Sequence, residues 1–115
     1  MSNYKFFLYL FIVLGIFVPS KSYSQDLINS LQLKPGFTIE IFAENIDTPR
    51  QIAESDAGNI FVGSRNAGTI SVIGKDNKIR VIAKDLSNST GVTYHEGNLY
   101  FSEVDKIWKI LNIDE

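Results

Sequence analysis

Few residues in this sequence have the chemistry for acid–base catalysis, nucleophilic attack or metal binding. His95 is the one histidine, and it directly precedes Glu96-Gly97, a turn signal between two strand-like runs. A histidine there is expected to be an exposed turn residue rather than a general base. Two carboxylate pairs are close in sequence, Glu54 with Asp56 and Glu103 with Asp105. Paired carboxylates can exchange a proton or bind calcium, but neither pair has the dense oxygen-ligand spacing of a calcium loop. Both flank predicted hairpins, where acids are expected to be solvated. There is no cysteine, which excludes disulfides, thiol nucleophiles, zinc–cysteine sites and covalently attached c-type haem. No catalytic residue and no metal site is therefore expected within the chain. Arg50 and Gln51 open a predicted strand; their side chains are expected to bond loop carbonyls, as buried polar groups must, with a ligand-facing role as the alternative. Arg65, just after the next strand, is expected in a salt bridge or loop-carbonyl contact. Trp108, among alternating basic and apolar residues, is expected to pack between layers.

The elements that position these groups begin with the N-terminus. Lys5 supplies a short positive segment, Phe6 to Val18 is an unbroken apolar run, and Pro19 ends it. Ser22-Tyr23-Ser24 then places small residues at both positions read by signal peptidase, ahead of Gln25. The apolar run is shorter than the roughly 20 residues of a spanning helix. Residues 1–24 are thus read as a signal peptide and residues 25–115 as the exported part, with a secreted or periplasmic destination and no stable membrane span after cleavage. Of the 115 residues, the exported part keeps 9 basic and 13 acidic side chains, a net charge of −4. Nucleic-acid binders need a basic surface for phosphates, so that class is excluded.

Beyond a polar start (Gln25 to Leu33) and the turn Lys34-Pro35-Gly36, short strand-like runs follow one another. Thr38 to Ala43 alternates apolar with polar residues. Further strands are predicted at 51–54, 59–64, 69–73, 79–83, 91–94, 98–102 and 106–110. Between them stand Asp56-Ala57-Gly58-Asn59, Asn66-Ala67-Gly68, Asp76-Asn77 and Glu96-Gly97-Asn98, residues that tolerate the positive φ of tight hairpin turns. No helical period persists after residue 24, so the fold class is all-β. A repeat is also visible. Ile46-Asp47-Thr48-Pro49-Arg50-Gln51-Ile52 precedes Gly58-Asn59-Ile60-Phe61-Val62-Gly63. About forty residues later Leu86-Ser87-Asn88-Ser89-Thr90-Gly91-Val92 precedes Gly97-Asn98-Leu99-Tyr100-Phe101-Ser102. Four strands in roughly 40 residues is the period of a β-propeller blade. The expectation is a partial β-propeller, one and a half to two four-stranded blades, after the signal helix. A two-sheet sandwich would also accommodate this many strands.

The ordered series Leu33 to Ala43, Thr48 to Ala53, Gly58 to Arg65, Ser89 to Tyr94 and Asn98 to Ile110 resembles the N-terminal part of the glucose/sorbosone dehydrogenase family, in particular its sorbosone dehydrogenase-like branch. The likeness covers about residues 31 to 113. It implies a six-bladed parent, export to the periplasm, and pyrroloquinoline quinone held with calcium as the redox cofactor. An aldose or related sugar would be oxidised at C1, with the electrons passed to a separate acceptor. The family's general-base histidine, with its Asp and Arg partners, is expected beyond Glu115. One cofactor contact falls within this stretch by position. Where the glucose dehydrogenase branch has Gln and Asn before Gly, this sequence has Ser89 and Thr90 before Gly91; the departure weakens a cofactor-gripping role for that loop.

Three functions are compatible with this pattern: part of a quinone-dependent sugar dehydrogenase, inactive by itself; a non-catalytic propeller that binds rather than reacts; or a short secreted chain that closes a ring from several copies.

Overall fold

The structure, a computed structural model, describes residues 23–115; the predicted signal peptide lies outside the described residues but for its last two positions. The chain divides into two units, with the boundary after Ile41. In the first, α1 (Tyr23–Ser30) starts with Asp26 in its first turn, where a carboxylate favours the free N–H groups. Its last turn is closed by the Leu31 N–H on the Ile28 carbonyl (3.2 Å) and the Ser30 hydroxyl on the Leu27 carbonyl (2.7 Å). The sequence pattern did not anticipate this helix, because eight residues are too short to show a 3.6-residue period. The turn expected at Lys34-Pro35-Gly36 is present, with Phe37 N–H bonded to the Lys34 carbonyl at 3.3 Å and Gly36 at φ +93°. The predicted strand at 38–43 is not formed. Alternation supplies the apolar face of a strand, but a strand exists only when its backbone is paired with a neighbour. Among the described residues no helix is long and apolar enough to cross a membrane.

The second unit is all-β. β1 (Pro49–Glu54), β2 (Ile60–Ser64), β3 (Thr69–Ile73) and β4 (Ile79–Ala83) form one antiparallel sheet in sequence order, and β5 (Val92–His95), β6 (Asn98–Ser102) and β7 (Ile107–Ile110) form a second. The seven strands fall where the sequence places them, within two residues at each end. The internal repeat is reproduced in the backbone. Gly58 and Gly97, its equivalent positions, have φ +79° and +78° and lead into β2 and β6. In the β5–β6 hairpin Glu96 (φ +46°) and Gly97 are both left-handed, the two-residue turn whose twist matches that of the strands.

Cross-strand register sorts the side chains. Ala53, Phe61 and Val72 are opposite one another on one face of the first sheet, with Gly63 opposite Ile70. Val92 pairs with Phe101 and Tyr94 with Leu99 in the second. Phe61, Ile70, Val92, Leu99 and Phe101 form a single buried cluster, with Ala53, Val72, Tyr94 and Ile110 packed around it. The core therefore lies between the sheets, and β5 packs against β1 and β2.

At one end of the core the sheets are tied by Asp114. Its Oδ1 accepts the Ser55 hydroxyl (2.6 Å) and the Asn59 side-chain amide (2.9 Å), while the Tyr94 hydroxyl donates to Asp56 at 3.2 Å. Burial disfavours the Asp114 carboxylate, but hydrogen bonds from Ser55, Asn59, Tyr94 and the Ala57 backbone outweigh it and hold the carboxyl below its usual value. A depressed folded pKa stabilises the fold above the ordinary carboxylate value of about 3.9. That contribution is lost as pH falls through the lower folded value. Asp114→Asn is expected to flatten the acid limb of the stability curve, and urea titrations at about pH 5 and about pH 3 that show the same loss in both proteins would refute the assignment.

Several apolar side chains of this unit are left in water, among them Ile52, Val81, Val104, Ile107 and Leu111. Exposed apolar surface on that scale promotes association. Residues 25–115 produced alone are expected to scatter light increasingly with concentration; a monomeric sample with a cooperative melt would contradict this.

Candidate functional site

Antiparallel order brings the N-terminal ends of β1, β3, β5 and β7 and the C-terminal ends of β2, β4 and β6 to one end of the unit. The connection from β4 to β5 runs across that end and is held at several points. Leu86 N–H bonds the Gly68 carbonyl at 3.0 Å, and the Thr90 carbonyl lies over Gly63 of β2. Gly91 and Ser102 are joined twice, by Gly91 N–H to the Ser102 hydroxyl oxygen (3.2 Å) and Ser102 N–H to the Gly91 carbonyl (3.0 Å).

Glu103 completes this arrangement. Its carboxylate accepts the Ser87 N–H at 3.0 Å and the Trp108 indole N–H at 2.7 Å. The Ser87 N–H, then the indole, hold its carboxyl below the usual range. Neighbouring Asp105 is bonded to Lys106 at 2.7 Å and is likewise held low by it. The pair is thus divided between a loop clamp and a surface ion pair, rather than facing a common centre. Trp108 stays 45% exposed, and its indole N–H secures the Glu103 clamp. Spacing gave no sign of this, because the Ser87 partner is a backbone group from the connection between the two sheets.

Two cavities open at this end. The first, about 210 Å³, is lined by Gln51 of β1, Gly91, Val92 and Thr93 at the start of β5, Tyr100, Phe101 and Ser102 of β6, and Ile107. The second, about 280 Å³, is lined by Thr48, Pro49, Arg50, Arg65 and Asn66. Gln51 and Arg50 thus line different cavities despite being neighbours. Neither arginine makes the carbonyl contact or salt bridge expected of it with any described residue. Thr48 and Asn66 were not singled out by the sequence, since nothing in their spacing marks them.

Ser89 is wholly buried, with its hydroxyl lacking a partner among the described residues, and Thr90 is half-buried. Neither lines the first cavity; Gly91 does. His95 is exposed at the opposite end, 3.7 Å from Glu96 Oε1. Among the described residues no three His, Asp or Glu side chains gather as a cation site. A tricarboxylate quinone held by calcium needs cationic donors and a carboxylate or carbonyl cage. The first cavity offers one carboxamide and two hydroxyls from Thr93 and Ser102, beside the Tyr100 phenol and apolar walls. These residues do not fit that group on their own.

No family model matches the chain. It is 39% identical over 93 residues to an uncharacterized protein of Borreliella burgdorferi. The match takes in 80% of this chain and 24% of that protein, so the chain spans about a quarter of the length of the curated relative it matches.

Proposed function

We propose that this chain is the N-terminal part of an exported β-propeller of the glucose/sorbosone dehydrogenase type. In this reading the whole protein oxidises an aldose or related sugar with pyrroloquinoline quinone and calcium and hands the electrons to a separate acceptor. The present segment supplies the first blades and part of the channel wall, not the reacting groups.

The observation that carries the reading is the order of the sheets. Each is a meander of consecutive strands, and the first strand of the second sheet lies against the first strand of the first. Sandwiches of the immunoglobulin type exchange strands between their sheets through Greek-key connections, whereas consecutive meanders stacked at their leading strands are how blades surround a channel. The repeat with matching Gly58 and Gly97 geometry adds to this.

A second reading, a non-catalytic propeller scaffold, is favoured by the loop at Ser89. Its side chain is spent inside the protein, so the loop acts as packing and leaves the quinone without a hydroxyl from that position. The two are separated by expressing the whole open reading frame, adding quinone and calcium, and following dye reduction with a panel of aldoses. Reduction that requires both the quinone and a sugar supports the dehydrogenase. A folded whole protein that neither binds the quinone nor reduces the dye establishes the scaffold.

A further inference from the structure

We propose that the depression between Arg50 and Arg65 is an anion-binding site for the phosphate or carboxylate group of a small molecule. It belongs to this chain and does not depend on the redox reading above.

The backbone brings the two arginines to one depression. Pro49 is paired with Ser64 and Gln51 with Gly63, which leaves Arg50 as the extra residue of a β-bulge in β1. A bulge turns its side chain away from the regular alternation. Arg65 is the first residue after Ser64, so it leaves β2 beside that bulge. The two open onto one cavity of about 280 Å³ whose other walls are Thr48, Pro49 and Asn66. No acidic side chain lines it. Both arginines are exposed, and an anion bound there would face two positive charges. Guanidinium forks suit the planar or tetrahedral oxygens of carboxylate and phosphate, and the Thr48 hydroxyl and Asn66 amide are further donors.

A second observation comes from the backbone. Thr48 has φ +43°, which for a β-branched residue is an outlier. Such strain gathers at ligand clamps. Thr48 is the residue that brings the chain into the depression ahead of Pro49 and Arg50. The cavity has room for one such group with part of the molecule that bears it, and both arginines are reached from solvent.

The chain has three arginines, Arg50, Arg65 and Arg80. Arg80 is bound to Asp76 at 2.5 Å on β4 and its turn, which makes it an internal reference. The full chain is labelled with phenylglyoxal, an arginine reagent, and the rate at each arginine is read by mass spectrometry. Labelling is repeated with inorganic phosphate, glucose 6-phosphate or gluconate at constant ionic strength. The expected result is that an anion slows labelling of Arg50 and Arg65 together, with a common half-saturation point, and leaves Arg80 unchanged. Arg65→Gln should raise that point for Arg50 roughly tenfold, and Arg65→Lys should restore it only in part, since lysine keeps the charge but not the fork. Equal protection by all three anions identifies the isolated group as the ligand, while tighter protection by the two sugar derivatives identifies an anionic sugar. Absence of protection, protection that does not saturate, or protection spread equally over all three arginines overturns the proposal. Full restoration by Arg65→Lys overturns the guanidinium-fork geometry on which it rests.

Discussion

Replacing Phe61 with alanine is expected to remove about 3–5 kcal/mol of stability. Phe61 is 1% exposed and lies at the centre of the cluster with Ile70, Val92, Leu99 and Phe101. Truncation loses the transfer free energy of the ring and leaves a cavity bordered by both sheets, neither of which can close it without moving. A domain's entire stability is only about 5–15 kcal/mol, so a small two-sheet unit loses a large share of it. Urea unfolding followed by Trp108 fluorescence measures the loss. Ile52 is the control: it is on the adjacent strand of the same sheet and 67% exposed, so Ile52→Ala should change stability by less than about 0.5 kcal/mol. Similar losses for the two variants would mean that the sheets do not pack through the Phe61 face.

Gly68→Ala is expected to cost about 2–5 kcal/mol, from a backbone term of about 1–2 and a packing term of about 1–3. Gly68 has φ +59° and ends the β2–β3 turn, with its N–H on the Arg65 carbonyl at 3.3 Å. The Leu86 carbonyl occupies the place a side chain would take. That contact belongs to the β4–β5 connection, which is also bonded to Gly68 through the Leu86 N–H. A methyl group must therefore push the connection off the first sheet. Gly97→Ala isolates the backbone term, because Gly97 has φ +78° with open space around it. Urea midpoints should fall clearly further for Gly68→Ala. An equal fall would show that the connection does not press on this turn.

Both predictions depend on features that were unequally visible in the sequence. The turn at Gly68 was legible, because Asn66-Ala67-Gly68 announces positive φ. The Leu86 contact was not, since two residues 18 positions apart meet only after both hairpins have formed. The strands behave alike: alternation and Gly-Asn turns located all seven of the second unit, since both are local properties of the chain. Alternation also predicted a strand at 38–43 that is not formed, and the length of α1 hid it from any periodic reading.

The candidate site divides in the same way. The composition alone excluded cysteine chemistry, and the hairpin around Glu96-Gly97 pointed to an exposed turn for His95, which is exposed but is the last residue of β5, opposite Asn98. Arg50 and Arg65 were visible as cations at strand ends, but their pairing was read wrongly. A cation near loops ordinarily finds a carbonyl or a carboxylate, and the bulge at Arg50 is what sets it beside Arg65 on one depression. Glu103 shows the opposite case: a solvated acid by sequence, it clamps Ser87 and Trp108 once the β4–β5 connection meets the β6–β7 hairpin. Local sequence signals located the seven strands and the turns of the second unit and excluded cysteine chemistry. These depend on dihedral preference, alternation and composition, all of which act over a few residues. Tertiary structure alone decided which polar groups are satisfied, which hydroxyl is buried and which charges confront each other, because those depend on groups brought together across two sheets.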